Sequence, residues 1–127
     1  ESVKLIKGLL EGDFFEKGAN GGVCIGAVDV RDVAEAHVAA METRSAFGRY
    51  LLSSDSGVNH LTMASHLAAD PELSHYKLPV KASNTTAYTP LYDTSKVRKD
   101  LGVSIRPVQQ ALVDMAKDLV AKRLIAA

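Results

Sequence analysis

The sequence predicts an α/β fold for one domain that spans residues 1–127. Residues 26–38 begin with β-branched side chains at alternate positions, which favour a strand, and continue directly into a helical pattern. Residues 108–119 repeat apolar side chains at helical spacing, which predicts a second amphipathic helix. Strand and helix signals that follow one another in this way are typical of α/β proteins.

The first part of the chain is predicted to contain two helices, joined by a loop and a strand. Ser2 is the predicted N-cap of the first helix, and Gly12 is predicted to end it. Residues 13–22 form a glycine-rich loop. Asp29 is the predicted N-cap of the next helix, and Asp32, three residues later, gives an acidic version of the capping box.

The second part of the chain is predicted to contain three more helices. One is capped by Asn59, one covers residues 95–101, and one begins at Pro107, whose missing N–H costs nothing in a first turn. Residues 48–52 and 103–105 are candidates for short strands.

The composition argues against several classes of function. Lys and Arg total 15, as do Asp and Glu, so the formal net charge is zero and no basic patch indicates nucleic-acid binding. No apolar run is long enough to cross a membrane. Cys24 is the single cysteine, which rules out an internal disulfide and a multi-cysteine metal site. We therefore expect a cytoplasmic protein.

Two motifs resemble a known family. The run Val-Asp-Val-Arg-Asp-Val-Ala-Glu-Ala-His at 28–37 resembles the strand–helix signature of extended short-chain dehydrogenase/reductases. It is most similar to the branch of dihydroflavonol reductases and cinnamoyl-CoA reductases, which includes fungal aldehyde and methylglyoxal reductases. Gly-Arg-Tyr-Leu-Leu at 48–52 resembles a strand that joins the edge of the family's nucleotide-binding sheet. Looser similarity covers 59–79 and 92–119.

The resemblance implies the C-terminal, substrate-binding portion of an NADP-dependent carbonyl reductase, without most of the Rossmann domain. In complete members of the family a tyrosine donates a proton to the substrate carbonyl while NADPH delivers hydride. By analogy with the family, Ile25, Gly26 and Tyr88 would form walls of the substrate pocket. NADP and a small-molecule carbonyl substrate are expected for the full-length parent, whereas no cofactor is expected for this chain alone.

Two further motifs are interpreted as structural rather than chemical. Tyr92 and Lys96 have the Tyr-x-x-x-Lys spacing of the family's catalytic pair, but that pair lies upstream of the 28–37 motif, whereas Tyr92 lies downstream. We expect Tyr92 to pack and Lys96 to be solvated. The glycines of 18–22 lead from a helix into a strand, which is the reverse of a dinucleotide fingerprint. No catalytic, cofactor-binding or metal-binding residue is therefore assigned.

Isolated polar residues keep alternative interpretations. His37 lies on the apolar side of its predicted helix and is interpreted as a hydrogen-bonded core or interface residue, and the four histidines lack the spacing of a metal site. Arg31 either binds a substrate anion or forms a surface salt bridge. Asp29 and Asp32 could form an acid/base pair, but capping explains both.

A second hypothesis is a non-catalytic binding or assembly module derived from the same fold. The 48–52 segment would be an edge strand of the absent nucleotide-binding sheet, with unpaired backbone groups. Bare edges and apolar patches promote association. The sequence therefore predicts self-association or a retained N-terminal Rossmann part as partner.

Overall fold

The computed structural model describes residues 1–85 and 88–125, and its regular structure consists of helices. They are α1 (Ser2–Glu11), α2 (Val30–Glu42), α3 (His60–Ala68), α4 (Ser95–Leu101) and α5 (Val108–Ala121). Isolated β-bridges link the described connections: Ala19 with Ala82 in parallel, and Ile25 with Val58 and Ser56 with Leu91 in antiparallel. No helix in the described ranges is long and apolar enough to cross a membrane.

The main hydrophobic core lies where α5 packs against α1 and α3. The predicted apolar stripe of α5 is confirmed, since Leu112, Ala116 and Leu119 are buried there. Because α1 and α3 also bury one side each, the core forms between three amphipathic helices. Their buried apolar residues are Ile6, Leu9, Leu10, Met63, Ala64 and Leu67.

A second, smaller core joins α2 to α4. Ala36, Val97 and Val103 are buried in it, and the partly buried Tyr50 and Leu52 pack against them. Ala36 is short, which lets the backbones of the two helices lie close together on this side of α2.

Several helix ends follow the sequence signals. Gly12 and Gly102 adopt the left-handed conformation, with φ of 84° and 66°, and end α1 and α4 as predicted. The Asn59 side chain accepts a first-turn N–H of α3 at 2.8 Å, as predicted. The predicted Ser2 cap is wrong, because Ser2 lies inside α1 and Glu1 takes the N-cap position without a side-chain hydrogen bond.

Ahead of α2, where a strand was predicted, the backbone pairs with another segment only at single residues. Ile25 exchanges both backbone hydrogen bonds with Val58, at 3.0 and 2.8 Å, and the Ala27 carbonyl accepts the Ser54 N–H at 2.6 Å. Val30, placed in the strand by its branched side chain, is the first residue of α2. A longer ladder cannot continue past Val58, because α3 begins two residues later.

Residues 48–52 form a connection without regular secondary structure. None of their backbone groups pairs with another backbone group among the described residues. Tyr50 and Leu52 turn their side chains into the smaller core, whereas Leu51 is 47% exposed. Pairing of this segment with a nucleotide-binding sheet stays a prediction. Residues 103–105 likewise contribute packing rather than a strand, through Val103 and Ile105.

Asp29 caps α2 as predicted. Its Oδ1 accepts the backbone N–H of Arg31 at 2.8 Å, and the Arg31 guanidinium donates to both carboxylate oxygens at 2.9 and 2.6 Å. The side-chain hydrogen bond from Arg31 is the main cause that lowers the pKa of Asp29 from 3.8 to about 2, against the opposing effect of burial. The ionised carboxylate is therefore the form that stabilises the start of α2.

The prediction that Asp32 completes a capping box is wrong. Its carboxylate is fully buried, at 0% exposure, and accepts the backbone N–H of Arg106 at 2.7 Å together with the guanidinium of the same residue. The guanidinium also reaches Glu35 at 3.1 Å. Because the partner lies 74 residues away, a pattern within one helix turn could not reveal it.

We predict that Asp32→Asn lowers the free energy of unfolding by about 2–3 kcal/mol, because hydrogen bonds to charged groups contribute roughly 1.5–3 kcal/mol. Urea denaturation followed by circular dichroism measures the change. Glu35→Gln is the matched control, since Glu35 pairs with the same guanidinium but is 54% exposed. The control should change stability by less than about 0.5 kcal/mol, and equal losses in both variants would contradict this account.

We predict that acid removes part of the stability through Asp29. Its pKa is depressed in the folded state, so its contribution is complete above about pH 5 and is lost as the pH falls through 4 towards 2. The expected contribution to the free energy of unfolding is about 1–2 kcal/mol. It is smaller than the free energy equivalent to the full pKa shift, because Arg31 is half exposed to solvent. Asn can still cap a helix, so unfolding of Asp29→Asn should depend less on pH between 4 and 2. An unchanged pH profile would refute the assignment.

Candidate substrate groove

A groove of about 770 Å³ opens between the start of α1, the segment 25–31 and one side of α5. Its walls are mostly apolar, and Met63 of α3 lies among the lining residues. A groove of this size, with apolar walls and a few polar groups, is typical of small-molecule sites. The groove lies where the 28–37 motif begins. Its apolar lining residues include Leu5, Ile6, Ile25, Val28, Val108, Leu112 and Met115.

Charged residues occupy one part of the groove wall. Arg31 donates through one guanidinium nitrogen to Asp29 and to Asp114 of α5, with both contacts at 2.6 Å. These hydrogen bonds, with Asp29 contributing most, raise the pKa of Arg31, which stays charged. Of the two interpretations left open for Arg31, the structure contains the salt bridge. Asp118 also lines the groove, but its carboxylate pairs with Lys122 at 2.7 Å.

Two of the three predicted substrate-binding residues, Ile25 and Gly26, line the groove. Ile25 is 42% exposed, so its side chain is open to a ligand. Gly26 has no room for a side chain, because a Cβ there would collide with Ser53 Oγ and approach the Tyr92 ring at 3.1 Å. The structure therefore requires glycine at position 26 for packing, whether or not a substrate contacts it.

Tyr88 is not among the residues that line the groove. It is 70% exposed and lies in the irregular stretch ahead of α4. The three predicted residues are therefore not brought together in one cavity of the described chain. A role of Tyr88 in substrate binding stays a prediction.

Tyr92 and Lys96 are held by separate contacts. Lys96 Nζ donates to the carbonyl oxygens of Phe47 at 2.6 Å and Arg49 at 3.0 Å, and lies 4.2 Å from the centre of the Tyr50 ring. Lys96 is exposed, as expected, and its ammonium in addition holds the carbonyl groups around Gly48. Tyr92 packs beside Gly26, as expected.

The backbone N–H groups of Gly21 and Gly22 in the 18–22 loop already have partners. Asn84 Oδ1 accepts from Gly21 at 2.8 Å and from Gly22 at 2.9 Å, and Asn20 Oδ1 also accepts from Gly22 at 2.9 Å. A phosphate would need these donors free. The loop connects α1 to the extended segment before α2, and Gly18, Ala19 and Gly21 within it are buried rather than on the surface.

Histidines and cysteine do not assemble into a metal site. Among residues 1–85 and 88–125, no group of three or more His, Cys, Asp or Glu side chains is placed to hold a metal ion. His37 is exposed, so of its two predicted places the core is wrong and an interface stays a prediction. Its Nδ1 lies 2.7 Å from the Val33 carbonyl oxygen, at hydrogen-bonding distance. Burial lowers the pKa of His60.

Sequence reasoning missed Asp114 as a groove residue. On α5 it lies beside the apolar stripe and is 45% exposed, like an ordinary surface carboxylate. The only available signal was its place next to Met115, which also lines the groove. Its partner Arg31 lies 83 residues earlier, so only the packing of α5 on the start of α2 brings the two together.

Comparison with curated proteins finds similarity to plant cinnamoyl-CoA reductases. It is 39% identical over 99 residues to cinnamoyl-CoA reductase 2 of Arabidopsis thaliana, covering 75% of this chain and 28% of that protein. It is 33% identical over 101 residues to cinnamoyl-CoA reductase CAD2 of Medicago truncatula, covering 77% and 29% respectively. The chain thus spans less than a third of the length of these relatives. No protein-family model matches it.

Comparison with solved structures shows that reductases share the fold of this chain. Yeast methylglyoxal/isovaleraldehyde reductase Gre2, solved in complex with NADPH, superposes with a TM-score of 0.71 and 27% identity. The superposition covers 97% of this chain and 40% of that one. The predicted class, a partial α/β fold of the reductase type, is thereby confirmed. In sequence and fold, the chain is homologous to the C-terminal part of extended short-chain dehydrogenase/reductases of the cinnamoyl-CoA reductase-like branch.

Proposed function

We propose that this chain forms the substrate-binding part of an NADP-dependent carbonyl reductase and has no catalytic activity alone. The observation that carries the proposal is the position of the groove. Ile25 and Gly26 line it directly ahead of the motif that carries the similarity to reductases. Sites for small molecules are common between domains, and the groove offers apolar walls to the organic part of a carbonyl substrate.

The described residues do not fit a dinucleotide. A pyrophosphate needs free backbone N–H groups at the start of a helix that follows a strand. The donors of Gly21 and Gly22 are engaged by Asn84 and Asn20, and they precede an extended segment. We therefore assign NADP to the parent enzyme. The residues of this chain would exclude water from the substrate and orient it.

Tyr88 completes the proposed substrate contacts from outside the groove. Its ring is 70% exposed, so it is available to a substrate or to a partner domain. The single free cysteine, Cys24, fits the proposed cytoplasmic location, where thiols stay reduced.

We predict that the isolated chain binds NADP no more tightly than about millimolar, because the strand–glycine–helix donors are lacking. Titration calorimetry measures the affinity. The same preparation should show no NADPH oxidation with an aldehyde at 340 nm. Micromolar affinity, or turnover above the buffer blank, would contradict the proposal.

A second candidate is a non-catalytic assembly module, and an exposed apolar stripe on α2 favours it. Val30, Val38 and Met41, three or more residues apart on one side of α2, are 77%, 50% and 78% exposed. Phe47 and Leu51, just beyond the helix, are 86% and 47% exposed. Exposed apolar residues at helical spacing mark an interface with another chain or domain. We propose that this stripe binds either a second copy of the chain or a Rossmann domain.

We predict self-association at micromolar concentration in sedimentation velocity, driven by burial of this apolar stripe. Met41→Lys should dissociate the assembly without unfolding the chain, because Met41 lies on the surface. Val80→Lys is the matched control, since Val80 is 87% exposed but lies beside α3. A monomer at all concentrations would contradict self-association. Equal dissociation by both variants would contradict the role of the stripe.

A further inference from the structure

One asparagine of the chain lies in a sequence that favours spontaneous deamidation. Of Asn20, Asn59 and Asn84, only Asn20 is followed by glycine. Asparagine is among the thermally labile residues, and glycine leaves the backbone nitrogen of the next peptide unit unhindered because it has no side chain. Asn20 is only partly buried in the 18–22 loop, so water can reach it.

Deamidation at this position needs only water as a co-reactant. The Gly21 nitrogen attacks Cγ of Asn20, a bond forms between them, and the bond from Cγ to Nδ2 breaks. Ammonia leaves with the proton that Gly21 gives up, and a cyclic imide remains. Water then opens the imide at one of its two carbonyl carbons, which leaves either aspartate or isoaspartate at position 20.

Two backbone donors activate the side-chain amide of Asn20. Its Oδ1 accepts the N–H of Gly22 at 2.9 Å and the N–H of Val23 at 3.3 Å. Negative charge develops on this oxygen when the Gly21 nitrogen attacks, and donors aimed at such an oxygen stabilise the transition state. The loop therefore presents an activated amide beside its own nucleophile.

Asn84 restrains this nucleophile from the other side of the loop. Its Oδ1 accepts the Gly21 N–H at 2.8 Å and the Gly22 N–H at 2.9 Å. Gly21 must give up the proton that it donates to Asn84 before it can attack, so this hydrogen bond has to break first. Asn84 also shares the Gly22 N–H with Asn20, which weakens one of the two donors that activate the amide.

We propose that Asn20 is a site of spontaneous deamidation and that Asn84 controls its rate by holding the Gly21 nitrogen. The restraint is released when the connection 81–85 separates from the loop. Apart from Asn84, that connection is attached through Ala19, which donates to the Lys81 carbonyl at 3.0 Å and accepts the Ser83 N–H at 2.8 Å. Asn84 itself is exposed, so water competes for its hydrogen bonds.

The modification also alters the attachment of the loop to α3. The Asn20 carbonyl accepts the His60 N–H at 3.1 Å, and the Gly21 carbonyl accepts from Asn59 Nδ2 at 3.1 Å. In isoaspartate the main chain passes through Cβ and Cγ, so it gains one carbon and the first of these carbonyl groups leaves the main chain. We expect the isoaspartate form to melt at a lower temperature than the unmodified chain.

Peptide mass spectrometry during incubation at 37 °C measures the rate at Asn20, with urea-unfolded chain as the reference. The folded chain should deamidate more slowly than the unfolded one. Asn84→Ala should react about fivefold faster than the unmodified folded chain, the factor expected from the loss of one neutral hydrogen bond. Asn84→Asp keeps an acceptor for both N–H groups, so its rate should not exceed that of the unmodified chain.

Ser83→Ala is the matched control. It removes the hydrogen bond from Ser83 Oγ to the Ala19 carbonyl, at 3.2 Å, and leaves the partner of Gly21 in place. Its rate should change by less than about twofold, because only a part-exposed contact beside the site is lost. For each variant, urea denaturation gives the unfolded fraction, and the contribution of that fraction is subtracted, so a folding defect cannot imitate the effect.

Two results would overturn the role of Asn84: Asn84→Ala no faster than the unmodified chain, or Ser83→Ala accelerated as much as Asn84→Ala. Hydrogen exchange of the unmodified chain gives a test that needs no variant. The Gly21 amide should be protected, and exchange as fast as in the unfolded chain would refute the restraint. If Asn20 stays intact even in urea, the site itself is refuted.

Discussion

The rest of the structure depends on the ion pairs that two buried carboxylates form at the start of α2. Asp29 and Asp32 each hold an arginine, and each arginine extends the contact to another part of the chain: Arg31 to Asp114 on α5, and Arg106 to the connection just ahead of α5. The start of α2 is thereby fastened to α5 and to the connection just ahead of it. Removing either carboxylate would take one of two acidic partners from its arginine and leave Asp114 or Glu35 as the other.

This arrangement gives the groove and the apolar stripe a common border. Val30, the first residue of α2, lines the groove and is also the first exposed residue of the stripe. A domain or chain that covered the stripe would therefore also lie against one side of the groove. The two proposals, a substrate-binding part and a surface for a partner, are compatible, and they place the ligand next to the junction between partners.

Local signals were sufficient for most helices and insufficient for strands. A helix satisfies its backbone within itself, so caps and glycine stops near its ends, such as Asn59, Gly12 and Gly102, predict its limits. A strand needs a partner from elsewhere. The β-branched residues ahead of α2 meet only single residues of the 54–58 segment, and the chain contains no longer partner among its described residues. The branched side chains predicted neither a ladder nor the start of α2, since Val30 is already helical.

The sequence by itself determined the helices, the Asp29 cap and the similarity to reductases, because each of these depends on residues close together in the chain. The tertiary structure decided which charges meet. Asp32 was assigned to a local capping box, yet its partner is Arg106, and Asp114 gave no local sign of reaching Arg31. Ion pairs between distant residues depend on how helices pack, and the packing of α5 on the start of α2 is fixed by the whole core rather than by any one segment.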